Sequence, residues 1–246
     1  MCYKNNMIKK IMAALVSLAI YIVAGTCFVL GAILLIAVSI VHHGVVFEGL
    51  LKLVCKSVLF FAGIRVNTTG LENYTPGKQY IIMMNHVNIF DAMLFYSRFP
   101  GKARGIEEVS HFKWFLYGWL IKRIGIIPID RVSGLKAIDS LKKAGQLIKK
   151  KREFSVAILP EGTRTLTGKL GKFKKGGFLL ATESGLEILP IIQTGSFAIK
   201  KKNHWLIKPG KVNLVIEKPI PVSGYSRDNL KELMELTRTV FLKYLE

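Results

Sequence analysis

The run Asn85-His86-Val87-Asn88-Ile89-Phe90-Asp91 sets a histidine at the end of an apolar stretch and an aspartate five residues later. Five residues is not same-face spacing on a helix, but a strand-to-helix turn between them brings the two side chains together. Asp91 then accepts a hydrogen bond from one ring nitrogen, which fixes the tautomer and leaves the other nitrogen as a base. Such a base needs no serine if the substrate brings its own hydroxyl. The spacing alone is a weak signal, because a histidine at a strand end is more often structural than catalytic.

Three further segments offer anion-binding chemistry. In Leu159-Pro160-Glu161-Gly162-Thr163-Arg164 an apolar strand runs into a turn that displays an acid and an arginine. Gly162 allows close backbone approach, and the planar fork of Arg164 suits a phosphate monoester. Glu161 holds either that arginine or the loop; the bland alternative is a turn with a surface ion pair. Gly125-Ile126-Ile127-Pro128-Ile129-Asp130-Arg131 is another apolar strand that ends in an acid and an arginine, and Phe173-Lys174-Lys175-Gly176-Gly177 is a basic, glycine-containing entry to a helix. Ile188-Leu189-Pro190-Ile191-Ile192 reads as a structural strand or as the wall of a tunnel for an acyl chain.

Other chemistries find less support. His42, His43, His86 and His204 lack metal-ligand spacing, so no metal is expected. Cys2, Cys27 and Cys55 form no CxxC pair and read as unpaired thiols. Aromatic-interleaved basic patches that stack bases are not evident, so no nucleic-acid partner is expected; His111-Phe112-Lys113-Trp114 comes nearest and is read as dipping toward lipid.

These residues must be carried by a chain of 246 residues that is half hydrophobic and has a formal charge of +20. That charge calls for an anionic partner, and an apolar segment beside it favours membrane lipid over nucleic acid. From Ile11 to Val41 no charged residue occurs, a run longer than the roughly 20 residues that cross a bilayer. A single tilted span and two shorter helices broken near Gly25 or Gly31 both fit; a cleaved signal peptide fits poorly, because the apolar run continues past any cleavage point. Residues 44–64 read as a helix with Glu48, Lys52 and Lys56 on one stripe.

Beyond residue 65 strands alternate with helices. Strands are expected at 66–70, 79–85, 124–130, 154–160, 188–193 and 211–217, and helices at 91–98, 111–122, 133–151 and 175–185. A last helix from Ser226 to Glu246 is expected to be capped by Ser226 or Asp228 and to bury Leu230, Leu233, Val240, Phe241 and Tyr244. The pattern predicts an α/β domain, 61–246, with a mixed central sheet flanked by helices, behind N-terminal membrane-associated helices, 1–60.

In chain order, NHxxxxD, GxxxxDR, PEGTR and apolar-Pro-apolar resemble the four signature blocks of the glycerolipid acyltransferases, over roughly residues 60–220. The resemblance implies that His86 is the general base, that Asp91 orients it, and that the acceptor oxygen attacks an acyl thioester directly. It implies that Glu161, Gly162, Thr163 and Arg164 bind the acceptor's phosphate with help from Arg131, and Lys174 is an added candidate. The donor is expected to be acyl-CoA or acyl carrier protein, used as a co-substrate with no cofactor. The acceptor is expected to be of the lysophosphatidic-acid type, with glycerol-3-phosphate, a lysophospholipid or a lyso-ornithine-type lipid as alternatives. The expected location is the cell inner membrane, with the catalytic domain on the cytoplasmic face among anionic lipids. A non-catalytic protein that binds anionic lipid is the reading from a different class. The family often has a lysine ahead of the second block where this chain has Ile106, and Arg104, two residues earlier, is the candidate substitute.

Overall fold

The computed structural model describes residues 2–42, 44–130, 145 and 153–245. Arg131 and, but for Gly145, the helix expected at 133–151 lie outside the described residues.

The charge-free run forms one unbroken helix, α1 (Cys2–Val41), which turns back into α2 (Val45–Phe61). Of the two arrangements that fit the run, the single helix forms without a break near Gly25 or Gly31, and the hairpin turns after Val41. The stretch Asn6–Val41 is long and apolar enough to cross a membrane. Yet α1 is docked on the rest of the chain along one stripe. Ser17, Ile20, Ala24, Ala32, Leu35 and Ser39, spaced by three, four or eight, are buried, and the small alanines let α2 approach closely. Ser17 Oγ accepts the Ile207 N–H at 3.0 Å, and the Tyr21 hydroxyl donates to the Trp205 carbonyl at 2.7 Å. The opposite stripe (Ile11, Leu15, Leu18, Ile22, Leu30 and Ile33) stays exposed.

After α2 the chain runs β1 (Ile64–Thr69), β2 (Ile81–Met84), α3 (Asp91–Arg98), β3 (Ala103–Glu108), α4 (Tyr117–Ile124), β4 (Ile127–Ile129), β5 (Ser155–Ile158), α5 (Lys175–Ser184), β6 (Ile188–Thr194), the single turn α6 (Ser196–Ile199), β7 (Gly210–Ile216) and α7 (Leu230–Leu245). Among the described residues seven strands form one sheet, ordered β1-β7-β6-β2-β5-β3-β4. The strands from β6 to β4 are parallel; β7 is antiparallel to β6, and β1 follows β7, so the sheet is mixed as expected.

All four residues of β2 are buried because both faces are covered, which is why this strand reads as a continuous apolar run. Ile81 and Met83 pack with Phe178 of α5 and with Leu233 and Phe241 of α7. Ile82 and Met84 face the other way, toward Phe95 of α3 and Phe99. Each fully buried phenylalanine contributes about 2–3 kcal/mol of transfer free energy.

Three expected elements differ. The helix at 111–122 is instead a 3₁₀ turn (Val109–Lys113) followed by α4, with the break at Leu116, whose φ is 58°. The strand at 124–130 shrinks to β4 because Gly125, at φ 82°, ends α4 with the Ile126 N–H bonded to the Ile121 carbonyl at 2.9 Å. The last helix begins at Leu230, after the expected caps: Asn229 Oδ1 accepts the Ser226 N–H, and the Ser226 hydroxyl accepts the Asp228 N–H. On that helix Leu230, Leu233 and Phe241 are buried as expected, whereas Tyr244 is exposed and bonds Glu217.

Candidate active site

His86 follows the carboxyl end of β2. Its sheet neighbours β5 and β6 also end here, leading to Glu161 and Ser196. Ligands in open α/β sheets gather at the carboxyl ends of parallel strands. His86 Nδ1 lies 2.7 Å from Asp91 Oδ2, and Nε2 is left for chemistry. Asp91 opens α3 and is buried. Its Oδ2 also accepts the Val87 N–H at 2.7 Å, and its Oδ1 accepts the Asn88 N–H at 3.0 Å. Both carboxylate oxygens are therefore occupied by donors from the turn, which forces Nδ1 to be the protonated nitrogen.

The turn is locked from outside by groups whose function the sequence reading did not assign. Asn85 exchanges hydrogen bonds with Gln193 of β6, donating to its carbonyl at 3.0 Å and accepting its N–H at 2.8 Å. Asn88 Nδ2 donates to the Ser196 carbonyl at 2.8 Å. Both asparagines sit inside the NHxxxxD run, and that position was the signal that could have found them.

Glu161 joins the two central motifs. It is only 4% exposed, and its Oε1 accepts the His86 N–H at 2.8 Å while Oε2 accepts the Gly171 N–H at 3.0 Å. The His86 carbonyl in turn accepts the Thr165 N–H at 2.9 Å. Loop 161–165 thus grips both backbone groups of His86. Of the two roles open to Glu161, its geometry is that of a loop holder. Burial pushes its carboxyl pKa up, against the pull of the two N–H donors. A raised folded pKa stabilises fully below the ordinary carboxylate value and loses that contribution as pH rises through the folded value. The stability difference between wild type and Glu161→Gln should therefore shift against wild type as pH rises through that range. Parallel melting temperatures for the two proteins across that range would refute this.

Gly162 lies at φ 68°, and an added Cβ would meet the Lys174 side chain at 3.4 Å. Thr163 is exposed, and its hydroxyl accepts from Lys202 Nζ at 2.9 Å. Arg164, between Thr163 and the residue bonded to His86, has no carboxylate partner among the described residues. Lys200 is buried; its ammonium donates to the Lys201 and His204 carbonyls, and its pKa is lowered by burial and then by Arg164. Arg164, Lys174, Lys200 and Lys202 thus gather positive charge around loop 161–165 and suit an anion. Lys200 and Lys202 were missed; the Lys200-Lys201-Lys202 run was their only mark in the sequence.

Arg104 does not join this cluster. On β3 it pairs with Val156, level with Ile81 of β2, five residues short of His86, or about 16 Å along a strand. Its guanidinium bonds Glu48 Oε1 of α2 at 2.6 Å and sits 5.7 Å from the Phe154 ring centre. Arg104, the candidate for the family's lysine, is thus held against α2. Ile106, at that lysine's place, lines a cavity instead.

That cavity, of about 200 Å³, begins at Asp91 and runs between the sheet and α1–α4, with Phe28, Leu35, Leu51, Met93 and Leu120 in its wall. Its polar lining includes Glu107, which meets His111 Nδ1 at 2.7 Å and the Tyr117 hydroxyl at 3.4 Å. Burial, then the Glu107 charge, raises the Tyr117 phenol. The 188–192 segment is not in this wall, so its structural reading is the one the fold bears out.

Comparison with known proteins places this arrangement. The chain is 31% identical over 192 residues to a chloroplastic 1-acyl-sn-glycerol-3-phosphate acyltransferase of Arabidopsis thaliana, covering 73% of this chain and 52% of that one. It is 32% identical over 172 residues to the 1-acyl-sn-glycerol-3-phosphate acyltransferase of Pseudomonas aeruginosa, covering 70% and 65%. The chain thus spans about half to two thirds of the length of these curated relatives. The crystal structure of the 1-acyl-sn-glycerophosphate acyltransferase PlsC from Thermotoga maritima superposes with a TM-score of 0.80 at 24% identity, over 96% of this chain and 95% of that one, and so shares the fold. The acyltransferase family model matches residues 65–194, a span that holds His86, Asp91, Glu161 and Arg164, and the chain belongs to the acyltransferase family.

Proposed function

We propose that the protein transfers a fatty acyl group from acyl-CoA or acyl carrier protein to the sn-2 hydroxyl of 1-acyl-sn-glycerol-3-phosphate, giving phosphatidic acid. The observation that carries this is the 2.7 Å His86–Asp91 pair, set between an apolar cavity and Arg164, which meets no carboxylate among the described residues. His86 Nε2 takes the proton of the acceptor hydroxyl, and Asp91 stabilises the imidazolium. The acceptor oxygen forms an ester bond to the thioester carbonyl carbon, the C–S bond breaks, and the thiolate leaves with the proton held by His86. No acyl-enzyme forms and no cofactor is needed. An acyl chain fits the cavity, and the acceptor's phosphate fits the side marked by Arg164, Lys200 and Lys202. The relatives that bear the name of this reaction support the reading.

The protein works at a membrane, on this reading the cytoplasmic face of the cell inner membrane. The exposed apolar stripes of α1 and α2 enter the lipid as a helical unit, 1–60, while the α/β domain, 61–246, stays at the surface. A charge of +20 favours an anionic leaflet. Because α1 and α2 also wall the cavity, an acyl chain can lie between these helices and Asp91, out of water.

The position of Glu107 favours a second reading of the acceptor. With Ile106 where the family often has lysine and a carboxylate next to it in the cavity wall, a lyso-aminolipid of the ornithine type also fits.

One assay separates the readings. Thiol release from acyl-CoA by the detergent-solubilised protein is measured with lysophosphatidic acid, glycerol-3-phosphate or a lyso-aminolipid. Release that depends on lysophosphatidic acid supports the first reading, and release only with the lyso-aminolipid replaces it. Arg164→Ala should raise KM for a phosphate-bearing acceptor about tenfold or more, the equivalent of one charge-assisted hydrogen bond of about 1.5–3 kcal/mol, with less effect on kcat. An unchanged KM removes Arg164 from the phosphate site.

A further inference from the structure

The stripe on α2 that carries Lys52 and Lys56 has no part in the proposed reaction. It borders a pocket of about 310 Å³ beside the edge strand β1, lined by Lys52, Lys56, Asn67, Thr68, Ser97 and Arg98. None of these residues lines the acyl cavity.

Three cations therefore converge from α2 and α3, and none forms a salt bridge with a carboxylate among the described residues. Glu48, the acid on the same stripe, is engaged by Arg104. Lys52 Nζ donates to the Phe99 carbonyl at 3.4 Å, at the C-terminal end of α3. A helix end offers only about half a negative charge, against three positive ones. Burial, and then the Lys56 and Arg98 charges, lower the Lys52 pKa. Thr68 Oγ1 is buried behind the same wall with no hydrogen-bond partner among the described residues. A tetrahedral oxyanion would answer the unbalanced charge, with several acceptor oxygens for the three cations.

We propose that this pocket binds the phosphate of an anionic phospholipid headgroup. The position on α2 argues for lipid over free phosphate. Val46, Leu53 and Phe60 are exposed on that helix, about a quarter-turn round from the lysine stripe at 3.6 residues per turn. The cations thus lie at the border between an apolar face and water, where headgroups lie. The site is separate from the acyltransfer chemistry and does not depend on it.

The test uses the full chain in detergent with two soluble probes, dihexanoyl phosphatidylglycerol and inorganic phosphate, followed by calorimetry. The expected result is saturable lipid binding by wild type and by Arg164→Ala. It should weaken at least tenfold in Lys52→Ala/Lys56→Ala/Arg98→Ala and persist in Lys52→Arg/Lys56→Arg. Inorganic phosphate that competes only weakly confirms the lipid headgroup as the ligand, and phosphate that binds as tightly as the lipid overturns that choice. Lipid affinity unchanged in the triple variant, lost in Arg164→Ala, or absent from wild type overturns the site. Melting without ligand gives an independent check. Lys52→Met should raise the melting temperature by relieving repulsion, and a fall would make Lys52 a structural cap of α3 and overturn the proposal.

Discussion

His86→Ala should lower the rate of acyl transfer about 10³-fold while leaving the protein folded and bound to lipid. The size follows from the loss of a positioned general base, which is worth about 10²–10⁴-fold, at a site where no neighbouring group replaces it. The fold should survive for a local reason. Asp91 loses one of three donors and keeps the Val87 and Asn88 N–H groups, so its carboxylate stays satisfied. The grip of loop 161–165 on residue 86 uses only backbone atoms of that residue and is untouched. Thiol release and thermal melting measured on the same sample check both halves. Activity within tenfold of wild type would remove His86 from the mechanism, whatever the melting temperature.

Asp91→Asn should be about as damaging to rate, by about 10³–10⁴-fold, and it should also cost stability, which His86→Ala should not. Three donors point at the carboxylate: His86 Nδ1 and the Val87 N–H at Oδ2, and the Asn88 N–H at Oδ1. An amide must turn its NH₂ toward one of them. Turned toward Oδ2, it opposes the Val87 N–H and makes Nδ1 an acceptor, which moves the imidazole proton to Nε2 and disarms the base. Turned toward Oδ1, it opposes the Asn88 N–H. Either orientation leaves a buried donor unpaired, at about 1–3 kcal/mol. The matching loss in serine-protease triads, where aspartate becomes asparagine, is about 10⁴-fold. A variant that melts with wild type and keeps a tenth of its activity would show that Asp91 neither holds the turn nor orients the histidine.

The two variants separate what one residue does for rate from what it does for fold. Glu161 belongs with Asp91 in this respect. Both are buried acids whose oxygens receive backbone N–H groups, and both hold the loop that carries the base.

The strands and helices of the α/β domain were largely legible from local signals. The helix at 91–98 matches α3, and strands 188–193 and 211–217 fall within a residue of β6 and β7: β6 is a continuous apolar run covered on both faces, and β7 alternates buried with exposed residues, both local strand signals. The His86–Asp91 pair was legible for a similar reason. Five residues across a strand-to-helix turn leave little freedom, and the chain supplies the constraint itself.

What the sequence could not decide depended on which distant segments meet. Arg104 looked equivalent to the family's lysine on strand alternation, but strand register places it about 16 Å from His86 and gives it Glu48 as partner. Lys200, far along the chain, reaches Arg164 because β6 and β5 both flank β2, a neighbour relation that no local pattern encodes. The N-terminal run determined by itself that a segment free of charge is long enough to cross a membrane as a helix. Only packing decided that α1 lies docked through Ser17 and Leu35 rather than standing free, since a stripe of small and apolar residues is silent about its partner until α2, α4 and the loop at Trp205–Ile207 close over it. Period and turn chemistry are local and survive in one dimension; partner choice comes from the global competition for buried area, which three dimensions settle.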